Sequence, residues 1–149
     1  MALVKKAYKN RASHSTNLNE VSSRSHMILT LTVNTVDERD GSITSAKLNL
    51  VDLAGSERVK DSGASGQQLK EACHINLSLF NLAKIVHALE KPGKDSKNLN
   101  YRDSKLTLLL KDSIGGNCKT TMLACLSPSK DFCKESNNTM LFAHSCKQI

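Results

Sequence analysis

The chain has 149 residues, one domain's length, and is long enough to bury a core. Aromatic residues make up only 3% of it and tryptophan is absent, which argues against a base-stacking surface for single-stranded nucleic acid. The net charge of +7 favours an acidic partner: nucleic acid, an anionic membrane or the acidic surface of another protein.

Cysteine usage points the same way as the absence of a leader-like opening. The five cysteines are an odd set without a CxxC pair, so a reducing, intracellular setting is expected. No apolar run approaches the ~20 residues that span a bilayer, so a soluble or peripherally bound protein is expected. The histidines are scattered, with no Cys/His cluster at zinc-ligand spacing.

In chain order, residues Leu3 to Asn10 place Lys5, Lys6 and Lys9 around a few apolar side chains and read as the tail of a helix. A polar loop follows to Val21. From Met27 to Thr35 the sequence alternates, with Met27, Leu29, Leu31 and Val33 on one face, which predicts a strand with one drier side. Asp40-Gly41 is a hairpin signal, so this strand should pair antiparallel with one ending at Asp52. Leu48 to Asp52 reads as a buried strand that delivers a carboxylate at its C-terminal end, where α/β sheets place their ligands.

A long helix is predicted from near Gln68. Ala72, Ile75, Leu79, Leu82, Val86 and Leu89 form an apolar stripe that should pack on the sheet, with Lys70, Leu77, Lys84 and Lys91 opposite. Glu90 to Asn100 is a basic surface loop, and a short helix from Tyr101 to about Ser113 is broken by Gly115-Gly116. The apolar run Thr121 to Ser127 reads as a strand buried on both faces. A last helix runs from about Lys134 to the end of the chain. Together these elements predict an α/β fold.

Two stretches carry the chemistry. In Leu53-Ala54-Gly55-Ser56-Glu57, which follows Asp52, the glycine lets the backbone approach a ligand and present an N–H to an anion. In Asn19 to His26 (NEVSSRSH), the hydroxyls of Ser22 and Ser23 can reach a metal or its waters. Arg24 offers a forked cation for Glu57. Taken alone, the serines also read as a loop or helix cap and Asp52 as a strand-end cap. Arg24 with Glu57 would then be a surface pair worth under about 1 kcal/mol.

In this order, NxxSSRSH then DLAGSE, the two stretches resemble switch I and switch II of the kinesin motor family. The resemblance continues through INLSL (Ile75 to Leu79), YRDSKLT (Tyr101 to Thr107), GGNCKT (Gly115 to Thr120) and LFAHSCKQI at the end. It implies a P-loop NTPase motor core, a mixed β-sheet flanked by helices, with ATP and Mg2+ as ligands. Asp52 would hold a magnesium-bound water, Gly55 would donate its N–H to the γ-phosphate, and Ser22 and Ser23 would place the metal and the attacking water. Asn19 would lie on the nucleotide side, Arg24 and Glu57 would close over the phosphate, and Asn76, at the start of the long helix, would orient the water network. The same resemblance implies a microtubule partner, met by Lys84, Lys91, Lys94, Lys97, Arg102 and Lys105, and a cytoplasmic, cytoskeletal location.

The form GxxxxGK followed by Ser or Thr, whose amides cradle phosphates, does not occur in these residues. Gly115 to Thr120 imitates it, but Cys118 stands before Lys119 and the segment precedes an apolar run instead of following a strand. By the resemblance, residues 1–149 correspond to the part of a motor domain from switch I to its last helix, without the phosphate loop or the neck linker. Three positions depart from the family pattern: Leu77 replaces the Lys of INKSL, Phe80-Asn81-Leu82-Ala83 replaces SALG, and Ser145 stands where an Arg is usual. Two functions remain, part of an ATP-driven microtubule motor or a tubulin-binding fragment without turnover. Specific nucleic-acid binding has no motif to support it.

Overall fold

In the computed structural model, residues 4–7, 25–55, 67–91 and 99–149 are described, the side chains of 67–72 excepted. Residues 4–7 are helical. Two strands, β1 (Met27–Val36) and β2 (Ile43–Asp52), pair antiparallel in a register that sets Met27 opposite Asp52 and Val36 opposite Ile43. The turn between them is built by its acids. Asp37 Oδ1 accepts from the Arg39 amide at 2.9 Å, Asp40 Oδ1 accepts from the Ser42 amide at 2.9 Å, and Gly41 takes the left-handed φ of +73° that the turn requires. The Arg39 side chain also donates to Asp37, from Nη2 to Oδ2 at 2.8 Å and from Nε to Oδ1 at 3.1 Å.

The drier face runs as far as Leu31, for Met27, Leu29 and Leu31 are half-buried while Val33 is exposed. The second strand differs from expectation. It forms as a ladder, yet Leu48, Leu50 and Val51 are exposed rather than buried, because two strands alone cover neither face of a sheet.

The chain divides into two compact units, residues 1–55 and 56–149. The second is organised on α1 (Gln67–Glu90), with α2 (Lys105–Leu109) and α3 (Cys133–Lys147) packed against it. The stripe expected to lie on the sheet packs here on α2, α3 and the 3-10 turn Tyr101–Asp103. Leu82, Ile85 and Val86 from α1 and Leu106 and Leu110 from the α2 segment are buried, the core of this unit among the described residues.

Thr107, 1% exposed, is the polar centre of that core. Its hydroxyl lies 2.7 Å from the Tyr101 carbonyl and 2.9 Å from Ser104 Oγ, and Ser104 caps α2 by accepting from the Thr107 amide at 3.1 Å. The helix expected to continue to Ser113 stops at Leu109, and a turn carries the chain to Gly115, which has a φ of +74°. Tyr101 closes that turn by donating its hydroxyl to the Ile114 carbonyl at 3.1 Å, and burial pushes its pKa up.

Residues 121–128 form no strand. They are irregular and exposed, with Leu123 87% accessible, because a strand needs a ladder partner and among the described residues none pairs with them. The end of this segment is tied down: the Ser127 amide donates to Ser136 Oγ of α3 at 3.1 Å.

Candidate functional site

The hairpin register positions the first half of the site. Because Met27 faces Asp52, the residues just before β1 and just after β2 share one end of the ladder. Asp52 ends β2 with an exposed side chain, and Leu53, Ala54 and Gly55 continue from it without regular structure. Ala54 is 5% exposed and Gly55 half-buried, so the loop turns inward directly after the carboxylate.

A side-chain contact joins the two sides of this end. The Ala54 amide donates to His26 Nδ1 at 3.0 Å. His26 closes the NEVSSRSH motif, and the motif alone implies no role for it. Its position one residue before a strand whose first residue faces Asp52 is the signal that would have found it.

Asn19, Ser22, Ser23, Arg24 and Glu57 lie outside the described residues, so the expected Arg24–Glu57 closure does too. Asn76 is half-buried and sits more than two turns into α1, not at its start, because the helix begins at Gln67. Among the described residues no group of three or more His, Cys, Asp or Glu side chains is placed to hold a metal ion.

The basic surface belongs to the second unit. Lys84, Lys91, Arg102 and Lys105 are all exposed, while Lys94 and Lys97 fall outside the described residues. Lys84 is partly neutralised, since its Nζ lies 3.8 Å from Asp103 Oδ2. That pair is solvated on both sides and contributes under about 1 kcal/mol. Asp103 is itself held, for its carboxylate accepts from Asn100 Nδ2 and its carbonyl from Asn81 Nδ2 at 3.2 Å. The exposed side of α1 also carries Leu77 and Phe80, 52% and 64% accessible, an apolar pair beside Lys84.

At the far end of α1, the Glu90 carboxylate accepts from Ser145, a buried residue of α3, and from His87 at 3.3 Å. The Ser145 bond, and after it His87, holds the Glu90 carboxyl below its usual range. All five cysteines are free. No helix among the described residues is long and apolar enough to cross a membrane.

Comparison with known proteins places this geometry. The kinesin motor domain model matches residues 1–149. Kinesin-like protein KIN-4C of Arabidopsis thaliana is 48% identical over 151 residues, which cover 93% of this chain and 12% of that protein. Kinesin-like protein KIF18A of Mus musculus is 41% identical over 152 residues, covering 100% of this chain and 17% of that protein. The chain thus spans less than a fifth of the length of these relatives.

Among solved structures, that of a fast kinesin aligns with a TM-score of 0.82 at 43% identity, over 99% of this chain and 41% of the other. A KIF14 dimer in its two-heads-bound AMP-PNP state, in complex with a microtubule, aligns with a TM-score of 0.81 at 38% identity, over 99% of this chain and 42% of the other. A family match from the first residue to the last, with the backbone agreeing at these identities, makes the chain a member of the kinesin motor domain family.

Proposed function

We propose that residues 1–149 supply a microtubule-based, ATP-driven motor with its two nucleotide-sensing switches and its tubulin-facing helix, the part of the motor domain from switch I to the last helix. The observation that carries this reading is the pairing of Met27 with Asp52, which joins the end of NEVSSRSH to the start of DLAGSE at one edge of the hairpin. Asp52 and Gly55 fit the ligand chemistry. An exposed carboxylate suits a magnesium-bound water, and a half-buried glycine three residues on has no side chain to keep a phosphate oxygen from its amide.

Bound Mg2+ would neutralise charge on the transferring phosphoryl group. The chain's own residues do the rest. Asp52 would orient the metal's water, Gly55 would donate to the terminal phosphate, Ser22 and Ser23 would place the metal and the attacking water, and Arg24 would close on Glu57. Asn19 would lie on the nucleotide side and Asn76 would orient the water network.

The tubulin side of the reading rests on Lys84, Lys91, Arg102 and Lys105, exposed on one unit, joined by Lys94 and Lys97 of the same basic segment. The alignment with a structure in complex with a microtubule supports it. A cytoskeletal, cytoplasmic location follows from that partner.

Microtubule co-sedimentation at graded ionic strength tests the surface. Neutralising Lys91, Lys94 and Lys97 should weaken pelleting and flatten its salt dependence, since screened charge attraction is the proposed source of affinity. Unchanged pelleting removes this surface from the interface. A second reading is tubulin binding through the same basic surface without turnover.

A further inference from the structure

The hydrogen bond between the Ala54 amide and His26 Nδ1 links the segment before β1 to the loop after β2. It differs from the ladder bonds beside it because a side chain makes it. A ring nitrogen that accepts carries no proton, so this contact selects the imidazole tautomer with its hydrogen on Nε2.

The bond acts on a particular peptide plane. The Ala54 N–H belongs to the planar Leu53–Ala54 unit, and the Gly55 N–H belongs to the next plane, two dihedral angles away. Ala54 is 5% exposed, which restricts both of those angles. Fixing the first plane therefore fixes the direction of the second, although glycine itself is the residue most able to wander.

We propose that His26 is a positioning residue for the loop Leu53–Gly55: by accepting from the Ala54 amide it sets the direction in which the Gly55 N–H points. The proposal rests on the reading of that loop as the sensor of a terminal phosphate. It adds to the sensor a residue that touches neither phosphate nor metal. His26 follows Arg24 by two residues, so any displacement of the segment before β1 pulls on the same hydrogen bond that aims the Gly55 amide.

The test is nuclear magnetic resonance on the 15N-labelled full chain. The unmutated protein should show His26 with a bare Nδ1 and a protonated Nε2. A proton on Nδ1 of the neutral ring overturns the proposal without any variant being made.

Variants then separate the acceptor from the bulk of the ring. In H26A and H26Q the Ala54 amide should exchange with solvent at least roughly fivefold faster, the factor expected when one ordinary hydrogen bond is lost. In H26N, whose Oδ1 takes the place of Nδ1, protection should return. The ladder amides of β1 and β2 are the internal control for an intact hairpin. With the ladder intact, unchanged exchange in H26A, or rescue by Gln and not by Asn, refutes the role of His26.

Magnesium with AMP-PNP at millimolar concentration is added last. A Gly55 amide that does not respond while the Ala54 pattern holds sinks the phosphate-sensor reading and leaves the anchoring of the loop standing.

Discussion

Thr107 offers the sharpest test of how the helical unit is held together. It is 1% exposed, and its hydroxyl lies 2.7 Å from the Tyr101 carbonyl and 3.0 Å from the Ser104 carbonyl. One hydroxyl has one proton, so it serves only one of these acceptors at a time, and the shorter contact marks Tyr101 as the partner. Thr107→Val keeps the shape and removes that bond, leaving a half-buried carbonyl without its donor at a cost of about 1–2 kcal/mol. For a unit of this size that lowers the thermal midpoint by roughly 5–15 °C. Thr107→Ser keeps the hydroxyl and loses one methyl, which costs about 1 kcal/mol or less. Urea and thermal unfolding followed by helical circular dichroism read both. A Val variant as stable as the parent, with the Ser variant below it, would show that packing alone holds this turn and that the hydroxyl contributes nothing net.

The two left-handed glycines among the described residues should respond unequally to alanine. A Cβ on Gly41 meets nothing within 4 Å, so Gly41→Ala costs only the backbone penalty of roughly 1–2 kcal/mol, whereas a Cβ on Gly115 lands 2.7 Å from Leu89 Cδ1 and lowers the urea midpoint further. Acid should loosen the hairpin turn. Arg39 lowers the Asp37 pKa and the Ser42 amide lowers that of Asp40, so both carboxylates stabilise the folded turn above the unfolded value near ~4 and lose that effect as pH falls through their lower folded values. Amide shifts of residues 37–42 between neutral pH and acid should follow this, and D37N and D40N should flatten the response. Finally, residues 1–149 alone should show no microtubule-stimulated phosphate release, because the phosphate cradle provides much of the positioning that phosphoryl transfer needs. Stimulated release that D52A abolishes would mean that these residues build a nucleotide site unaided.

The parts of the fold that could be read from the sequence are those decided locally. Asp40-Gly41 between two alternating runs specifies a hairpin, and the hairpin forms with Met27 opposite Asp52. The three-and-four spacing from Ile75 to Leu89 specifies a helix, and Leu82 and Val86 are buried on it. Burial was less legible, because it depends on what lies alongside. The apolar runs at Leu48 to Val51 and Thr121 to Ser127 have strand composition, but one has a single neighbour and the other has none among the described residues. The end of α2 was missed for a related reason. Leu108 and Leu109 continue a helical pattern, yet the chain turns there to bring Ile114 to the Tyr101 hydroxyl, a contact thirteen residues away in sequence. At the candidate site, motifs singled out Asp52 and Gly55, while the contact of His26 with the Ala54 amide needed the strand register to come into view.

Among its described residues the helical unit has a thin interior. Among the described residues, only Val86 and Thr107 are less than 2% exposed, and one of the two is polar. Unfolding such a unit brings little new apolar surface into water, and apolar hydration is what gives unfolding its large positive heat capacity. Its stability curve should therefore be shallow in temperature, without a pronounced maximum and with little cold destabilisation. The calorimetric transition should be broad and low in enthalpy even where the helices themselves are well formed.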